Sequence, residues 1–120
     1  CSIVPDYCNP NIFVNAIIDR YLEHSRIFIF CNNDNPLYFI GSADWMERNM
    51  DRRIEVVSPV YDEDIKKELS MIVEKGLADT SQGHWVNMNG NLPRRKGASK
   101  IFERSQEELY RFYLEDNPLR

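Results

Sequence analysis

The absences in this sequence narrow it first. No apolar run approaches the roughly 20 residues that a bilayer-spanning helix needs. No signal peptide is visible and there is no initiator Met. The chain opens on Cys1 as if in mid-sequence, and a piece of something longer is expected. Cysteine is scarce: Cys1, Cys8 and Cys31 are an odd number without C-x-x-C spacing, which argues against a disulfide framework and against a structural zinc site. Reduced thiols in a cytoplasmic protein, at most peripherally attached to a membrane, are the reading that remains. No repeat or low-complexity tract is present, and no cluster of carboxylates demands a metal. Net positive charge is missing too, since the formal net charge is -4. A protein that grips a polyanion over its whole surface is usually basic. No nucleic-acid partner is therefore expected, and any anion site must be local.

The remaining composition is that of a globular chain. With 120 residues, 42% of them hydrophobic and 28% charged, it suffices for one domain with a small core. A single domain over residues 1–120 is expected. "PDYCNPN" reads as a loop, rich in Pro, Asn and Asp. "IFVNAII" reads as a strand, with a helix through "NAIIDRYLEH" as its rival. "SRIFIF" and "LYFIG" are strands on composition, and the turn residues of "CNNDNP" between them predict a hairpin. "RRIEVVSPV" reads as a further strand ended by Pro59. In "DEDIKKELSMIVEKGLAD", Ile65, Leu69, Ile72, Val73 and Leu77 recur at three- and four-residue steps, so they share one helix face, expected to pack on the sheet. Asp62, Glu63 and Asp64 suit its first turn, and Gly76 weakens its last. Residues 80–99 read as loop, with a short strand from His84 to Met88. "SQEELYRFYLED" is a second helix with Leu109, Phe112 and Tyr113 on its apolar face. Ser105 and Glu108 stand at capping-box spacing. Strands followed by helices give an α+β domain with helices covering a sheet.

Two stretches could supply a local anion site: "MDRR", with Arg52 and Arg53, and "PRRKGASKIFER", with Arg94, Arg95, Lys96, Lys100 and Arg104. The second reads as a solvated loop. Arg52 and Arg53 alternate in facing if they enter a strand, so at most one can serve a site. Chemistry is better supported at the first strand of the hairpin. His24 and Arg26 are two residues apart at its entrance and lean the same way. Gly41-Ser42-Ala43-Asp44 follows the second strand, and Glu55 comes later. A histidine can attack phosphorus or carry a proton. A neighbouring cation steadies phosphoryl oxygens. A Gly-Ser turn lets backbone N–H groups and a hydroxyl approach an anion. The structural alternatives stand beside this. Ser42 and Asp44 could form a turn and cap "WMERNM", or Asp44 could orient His24 and fix its tautomer. Glu55 by default pairs with an arginine, Trp45 packs in the core, and His84 is non-catalytic.

The pattern resembles the phospholipase D signature, H-x-K, four residues, D, then G-S-x-N and a later acid. Arg26 takes the Lys position, Cys31 the Asp position, and Asp44 the Asn position. "DRYLEHSRIFIF" and "GSADWMERNMDRRIEVVSPV" are similar to the C-terminal domain of the long ATP-dependent bacterial polyphosphate kinase family. That family reads R-x-L-E-H-x-R-[IV]-x-x-F and then [GS]-S-A-D-W-M-x-R-N-[LM]-D-x-R-[IV]-E-V. "CSIVP" resembles its R-G-x-C-x-L-x-P-G segment, while "DYCNPNIFVNA" departs from its glycine-rich connector.

The resemblance implies a phospholipase D-like fold, a mixed sheet covered by helices, in a fragment of a larger enzyme. It implies reversible transfer of the terminal phosphate of ATP to polyphosphate, through a phosphohistidine on a preceding domain. His24 would be catalytic, facing that histidine across a tunnel. His24, Arg26, Ser42, Asp44 and Arg53 would bind nucleotide or phosphate. Mg2+ would enter with ATP or ADP, held mostly by phosphates and by the other domain. Partners would be the upstream domains of the same polypeptide, ATP or ADP, polyphosphate, and further copies in a homo-oligomer. The chain alone would be inert. Two other readings stand: a phospholipase D-type phosphodiesterase or nuclease half-site completed by a homodimer, and a non-catalytic assembly domain. The arginine at position 26 and the A-D-W-M-x-R-N stretch favour the kinase.

Overall fold

Residues 11–85 and 103–115 are described by a computed structural model. Their elements run β1 (Asn15–Ile17), β2 (Ile27–Phe30), β3 (Leu37–Gly41), α1 (Glu47–Arg52), β4 (Val57–Val60), α2 (Glu63–Ala78), β5 (Gly83–Trp85) and α3 (Ser105–Glu115). Two compact units emerge, one of Glu23–Val73 and one holding the described stretches 11–22, 74–85 and 103–115. Cys1, Cys8, Arg94, Arg95, Lys96, Lys100 and the stretch from Val86 to Met88 lie outside the described residues.

In the first unit the hairpin forms as expected. Its turn reverses the chain because Asn32, Asn33 and Asp34 adopt left-handed backbone, with φ of 44°, 53° and 63°. Asn and Asp reach this region more readily than other L-residues because a short polar side chain can bond locally. Asn32 Nδ2 donates to the Asn35 carbonyl at 2.9 Å, and Asn35 N donates back to the Asn32 carbonyl at 3.2 Å. The antiparallel register then sets Ile27 opposite Ile40 and Phe30 opposite Leu37.

β4 adds to β3, with Tyr38 opposite Val60 and Gly41 opposite Val57, so the sheet order is β2-β3-β4. The strand expected over "RRIEVVSPV" begins only at Val57, because Arg52 closes α1. Pro59 sits inside β4 and does not end it. A proline that cannot donate to a ladder is tolerated in an edge strand, and among the described residues β4 is one. Both sheets are antiparallel in every pairing among the described residues, where a mixed sheet is expected.

Asp62 caps α2: its Oδ1 accepts from Asp64 N at 2.9 Å and from Ile65 N at 3.0 Å. Leu69 is buried while Ile72 and Val73 are half-buried. Ile65 is 49% exposed, so the buried face begins one turn later than its periodicity predicts. The Tyr38 hydroxyl and Ser70 Oγ, 2.8 Å apart, tie α2 to β3. Trp45 is not the core residue expected. It stacks on Phe28 with ring centroids 6.1 Å apart and remains 59% exposed.

In the second unit β1 pairs with β5, Asn15 opposite Trp85 and Ile17 opposite Gly83. The strand reading of "IFVNAII" therefore holds over its centre, and the rival helix is absent. The expected strand at His84 starts one residue earlier. This unit is organised around Asp79, which has 0% exposure. Its Oδ1 accepts from the backbone N–H groups of Ser81, Gln82 and Gly83 at 2.9, 2.7 and 3.1 Å. Its Oδ2 accepts from Ser105 N and Ser105 Oγ, each at 2.8 Å.

The N-terminus of α3 is thus met by a carboxylate from elsewhere in the chain, as the helix dipole favours. The expected capping box does not form. The Ser105 hydroxyl donates to Asp79, and Glu108 instead accepts from Lys75 Nζ at 2.6 Å. Gly83 has to be glycine, since a Cβ there would lie 2.2 Å from the Asp79 carbonyl oxygen.

Candidate active site

The first unit brings the two halves of the motif together through the hairpin. Arg26 lies one residue before β2, yet its carbonyl already accepts from Gly41 N at 3.0 Å, which sets the Gly-Ser-Ala-Asp turn beside it. A Cβ on Gly41 would stand 3.1 Å from both the Val56 carbonyl oxygen and Val57 Cγ2. Glycine is therefore what lets β3 run this close to β4 as the turn begins.

The side chains of this turn are largely engaged with the protein. Arg26 Nε donates to Asp44 Oδ1 at 2.9 Å, and Arg26 Nη1 donates to the His24 carbonyl at 2.8 Å. Asp44 does not orient the His24 imidazole by a hydrogen bond, because its carboxylate holds Arg26 instead. The Arg26 hydrogen bond is the main reason that the Asp44 carboxyl lies below the ordinary carboxylate range, with Asn49 and Arg48 adding to it. Asp44 in turn keeps Arg26 still more firmly protonated.

Ser42 works as a staple between strands. Its N–H donates to the Val56 carbonyl at 3.0 Å, and its Oγ accepts from Val56 N at 3.1 Å while donating to Glu55 Oε2. Glu55 is thus hydrogen-bonded to a serine, where an arginine partner is expected. Neither Ser42 nor Asp44 caps α1 with its side chain; Met46 is the N-cap and has no side-chain capping bond, although the Asp44 carbonyl accepts from Met46 N at 2.8 Å.

His24 and Arg53 stand differently. Both are exposed, and neither side chain bonds to another described residue. Arg53 follows α1 in extended backbone, φ -122° and ψ 153°. Its neighbour Arg52 makes only a loose contact with Glu47, at 3.9 Å. The first unit therefore presents an imidazole and a guanidinium available to a ligand, with an already paired Arg26–Asp44 couple between the strands. Each is a group type that can serve an anion exchanging protons or phosphoryl groups.

Comparison with known proteins assigns the family. Residues 1–106 match the family described as polyphosphate kinase C-terminal domain 2. The chain belongs to that family. It is 43% identical over 114 residues to a polyphosphate kinase of Vibrio vulnificus, covering 92% of this chain and 16% of that protein. It is 47% identical over 98 residues to one of Thermosynechococcus vestitus, covering 82% of this chain and 13% of that protein. The crystal structure of the polyphosphate kinase from Porphyromonas gingivalis superposes with a TM-score of 0.90 at 36% identity, over 97% of this chain and 18% of that one. The chain thus spans about one sixth of the length of the curated relatives it matches. The α+β, phospholipase D-like reading stands, and the polyphosphate kinase reading is favoured over the phosphodiesterase half-site.

Among the described residues no group of three or more His, Cys, Asp or Glu side chains is placed to hold a metal. The two carboxylates nearest the motif are committed, Asp44 to Arg26 and Glu55 to Ser42. The described residues therefore do not fit a protein-held Mg2+. No described helix is long and apolar enough to cross a membrane.

Sequence reasoning missed Asn49, Asp19 and Asp79. Asn49 is 2% exposed on α1 and supports Asp44; its place inside the A-D-W-M-x-R-N stretch was the available signal. Asp19 receives Arg104 in a two-pronged ion pair, Nε to Oδ2 at 2.8 Å and Nη2 to Oδ1 at 2.5 Å. Arg104 also holds Glu107 at 2.6 Å, so this member of the basic run serves the fold. A hollow in the second unit, lined by Arg20, Tyr21, Arg104, Gln106, Glu107 and Tyr110, takes in the start of the R-x-L-E-H stretch but none of the candidate site residues His24, Arg26, Ser42, Asp44 and Arg53.

Proposed function

We propose that this domain forms one wall of the phosphate-transfer site of a polyphosphate kinase, with His24 as its reacting group. In the transfer from ATP, the bond between the γ-phosphorus and the bridging oxygen breaks. A P–N bond forms on a histidine of a preceding domain, and ADP leaves. The phosphoryl group then passes to the end of a polyphosphate chain, and the reverse sequence makes ATP. His24 gives a proton to the departing phosphate oxygen or takes it back in the reverse direction. Arg53 adds a guanidinium to the phosphate oxygens as charge redistributes. Any Mg2+ entering with ATP or ADP would supply charge neutralisation from the phosphates' side, with no ligand from the described residues of this domain.

The observation that carries this reading is the availability of His24. It sits at a motif shared with a phosphotransferase family, beside a backbone fixed by Arg26, with an exposed imidazole that no described residue occupies. The same reading takes the other domains of the polypeptide, ATP or ADP and polyphosphate as partners, a homo-oligomer as the assembled form, and the cytoplasm as its place. The test is His24→Ala in a polyphosphate kinase carrying this sequence. Turnover should fall by roughly 10²–10⁴-fold while the thermal midpoint stays near wild type. Near-normal turnover with a lowered midpoint would remove His24 from the mechanism.

A further inference from the structure

Three features of the motif point past the set of ligands that residue types suggest. First, Arg26 is not free to meet a phosphate with its whole fork. Nε is engaged by Asp44 at 2.9 Å and Nη1 by the His24 carbonyl at 2.8 Å. The side chain is only 24% exposed. An incoming phosphate would have to compete with a carboxylate already in contact, in a pair whose charges cancel.

Second, the two ends of Arg26 hold different parts of the chain. Its own carbonyl is locked into the hairpin by Gly41 N at 3.0 Å. Its guanidinium reaches back two residues to His24, which lies before the first paired residue of β2, Ile27. The side-chain bond thus extends the order of the sheet to a point that the backbone ladder does not reach. Third, Asp44 is itself backed by Asn49, a nearly fully buried side chain on α1. The clamp is half-buried, with the Arg26 and Asp44 side chains 24% and 42% exposed, and it joins the chain before β2 to the turn after β3.

We propose that Arg26 is a positioning residue for His24, not a phosphate ligand: held by Asp44, its guanidinium fastens the His24 carbonyl and so sets where the imidazole stands. This deepens the reading of His24 as the reacting group and rests on it. The geometry also explains why arginine is suited to position 26. A guanidinium offers several N–H donors in a rigid fork and can serve two acceptors in different directions, whereas a lysine ammonium is a point charge on a flexible stem.

The test uses the full-length polyphosphate kinase carrying this domain, with the variants Arg26→Lys, Arg26→Ala and Asp44→Asn, and His24→Gln as reference. For each, kcat and KM for ATP are measured, together with backbone hydrogen–deuterium exchange over residues 23–27. Arg26→Lys and Arg26→Ala should both lower kcat about 10–100-fold, the loss that a misplacement near 1 Å produces. KM for ATP should stay within about twofold of wild type. Exchange over the segment should rise in both, and Asp44→Asn should reproduce the pattern in weaker form.

Arg26→Lys with wild-type kcat would overturn the assignment, because charge alone would then suffice. A KM for ATP raised tenfold or more with kcat retained would make Arg26 a ligand. Raised exchange with unchanged kcat would reduce the clamp to a feature of the fold. His24→Gln separates the two levels. If it is inactive, those outcomes judge Arg26 alone; if it turns over at the wild-type rate, the reading of the site falls and the positioning role falls with it.

Discussion

Replacing Asp79 tests whether a single buried carboxylate organises the second unit. Its two oxygens accept five hydrogen bonds, three from the backbone of residues 81–83 and two from Ser105. Hydrogen bonds to charged groups contribute about 1.5–3 kcal/mol each. Simple addition would rival the whole stability of a domain, roughly 5–15 kcal/mol. In Asp79→Ala the segment can open and let water reach the orphaned donors, so the loss should be nearer 3–5 kcal/mol, the cost typical of removing one partner from a buried charged contact. For a chain of this size that lowers the thermal midpoint by about 10–20 °C.

Asp79→Asn is the sharper variant because it preserves shape. Its amide has one acceptor end and one donor end, while donors face both oxygens of Asp79. Either orientation turns an NH2 toward backbone or hydroxyl donors, so asparagine should rescue little.

The pH dependence carries a definite sign. Burial pushes the Asp79 carboxyl upward, but the hydrogen bonds from Gln82, Ser105 and Ser81 outweigh it and the pKa is lowered from 3.8. A carboxyl lowered on folding stabilises the fold fully above its unfolded pKa and loses that contribution as pH falls through the folded value. The gap between wild type and Asp79→Ala should therefore be constant near neutrality and shrink below about pH 4. Urea unfolding followed by tryptophan fluorescence gives the measurement, since Trp85 lies on β5, just beyond Gly83. An Asp79→Asn variant as stable as wild type at pH 7, or a gap that widens in acid, would refute the reasoning.

Two further stability predictions follow from the packing. Leu69→Ala removes the buried side chain of α2 and should cost about 2–5 kcal/mol; an unchanged denaturation midpoint would mean that this face carries little. Gly83→Ala places a methyl against the Asp79 carbonyl oxygen and should destabilise by about 1–3 kcal/mol through forced backbone movement; a stabilised variant would refute a steric requirement for glycine there.

The hairpin and both long helices were legible in the sequence because each is specified locally. "CNNDNP" between two β-branched and aromatic runs can do little but turn, and a three-to-four-residue apolar step fixes a helix face. What was not legible depends on distant partners. The Ser105–Glu108 spacing fits a capping box, but Asp79 claims Ser105 and Lys75 claims Glu108. Nothing near Asp79 in the chain announces that its acceptors will meet a helix 26 residues further on. Pro59 reads as a strand end, and only the edge position of β4 makes it acceptable inside one. Trp45 reads as core because it is large and apolar, yet it covers Phe28 from an exposed position.

The candidate site shows the same division at the level of charge. The motif supplied its members by type: His24, Arg26, Ser42, Asp44 and Arg53 all lie within the first unit. Type alone cannot say which of them a ligand would meet. The Arg26–Asp44 pair is electrically close to neutral, and Ser42 has its hydroxyl committed on both the donor and the acceptor side. A favourable potential for an anion on this wall must then come from groups without such partners, such as the exposed Arg48 and Arg53 of the motif. A chain with net charge -4 gains nothing from diffuse attraction. On the proposed reading, recognition of phosphate by this wall would be short-range and geometric, the regime in which fixing the His24 backbone matters more than adding another cation.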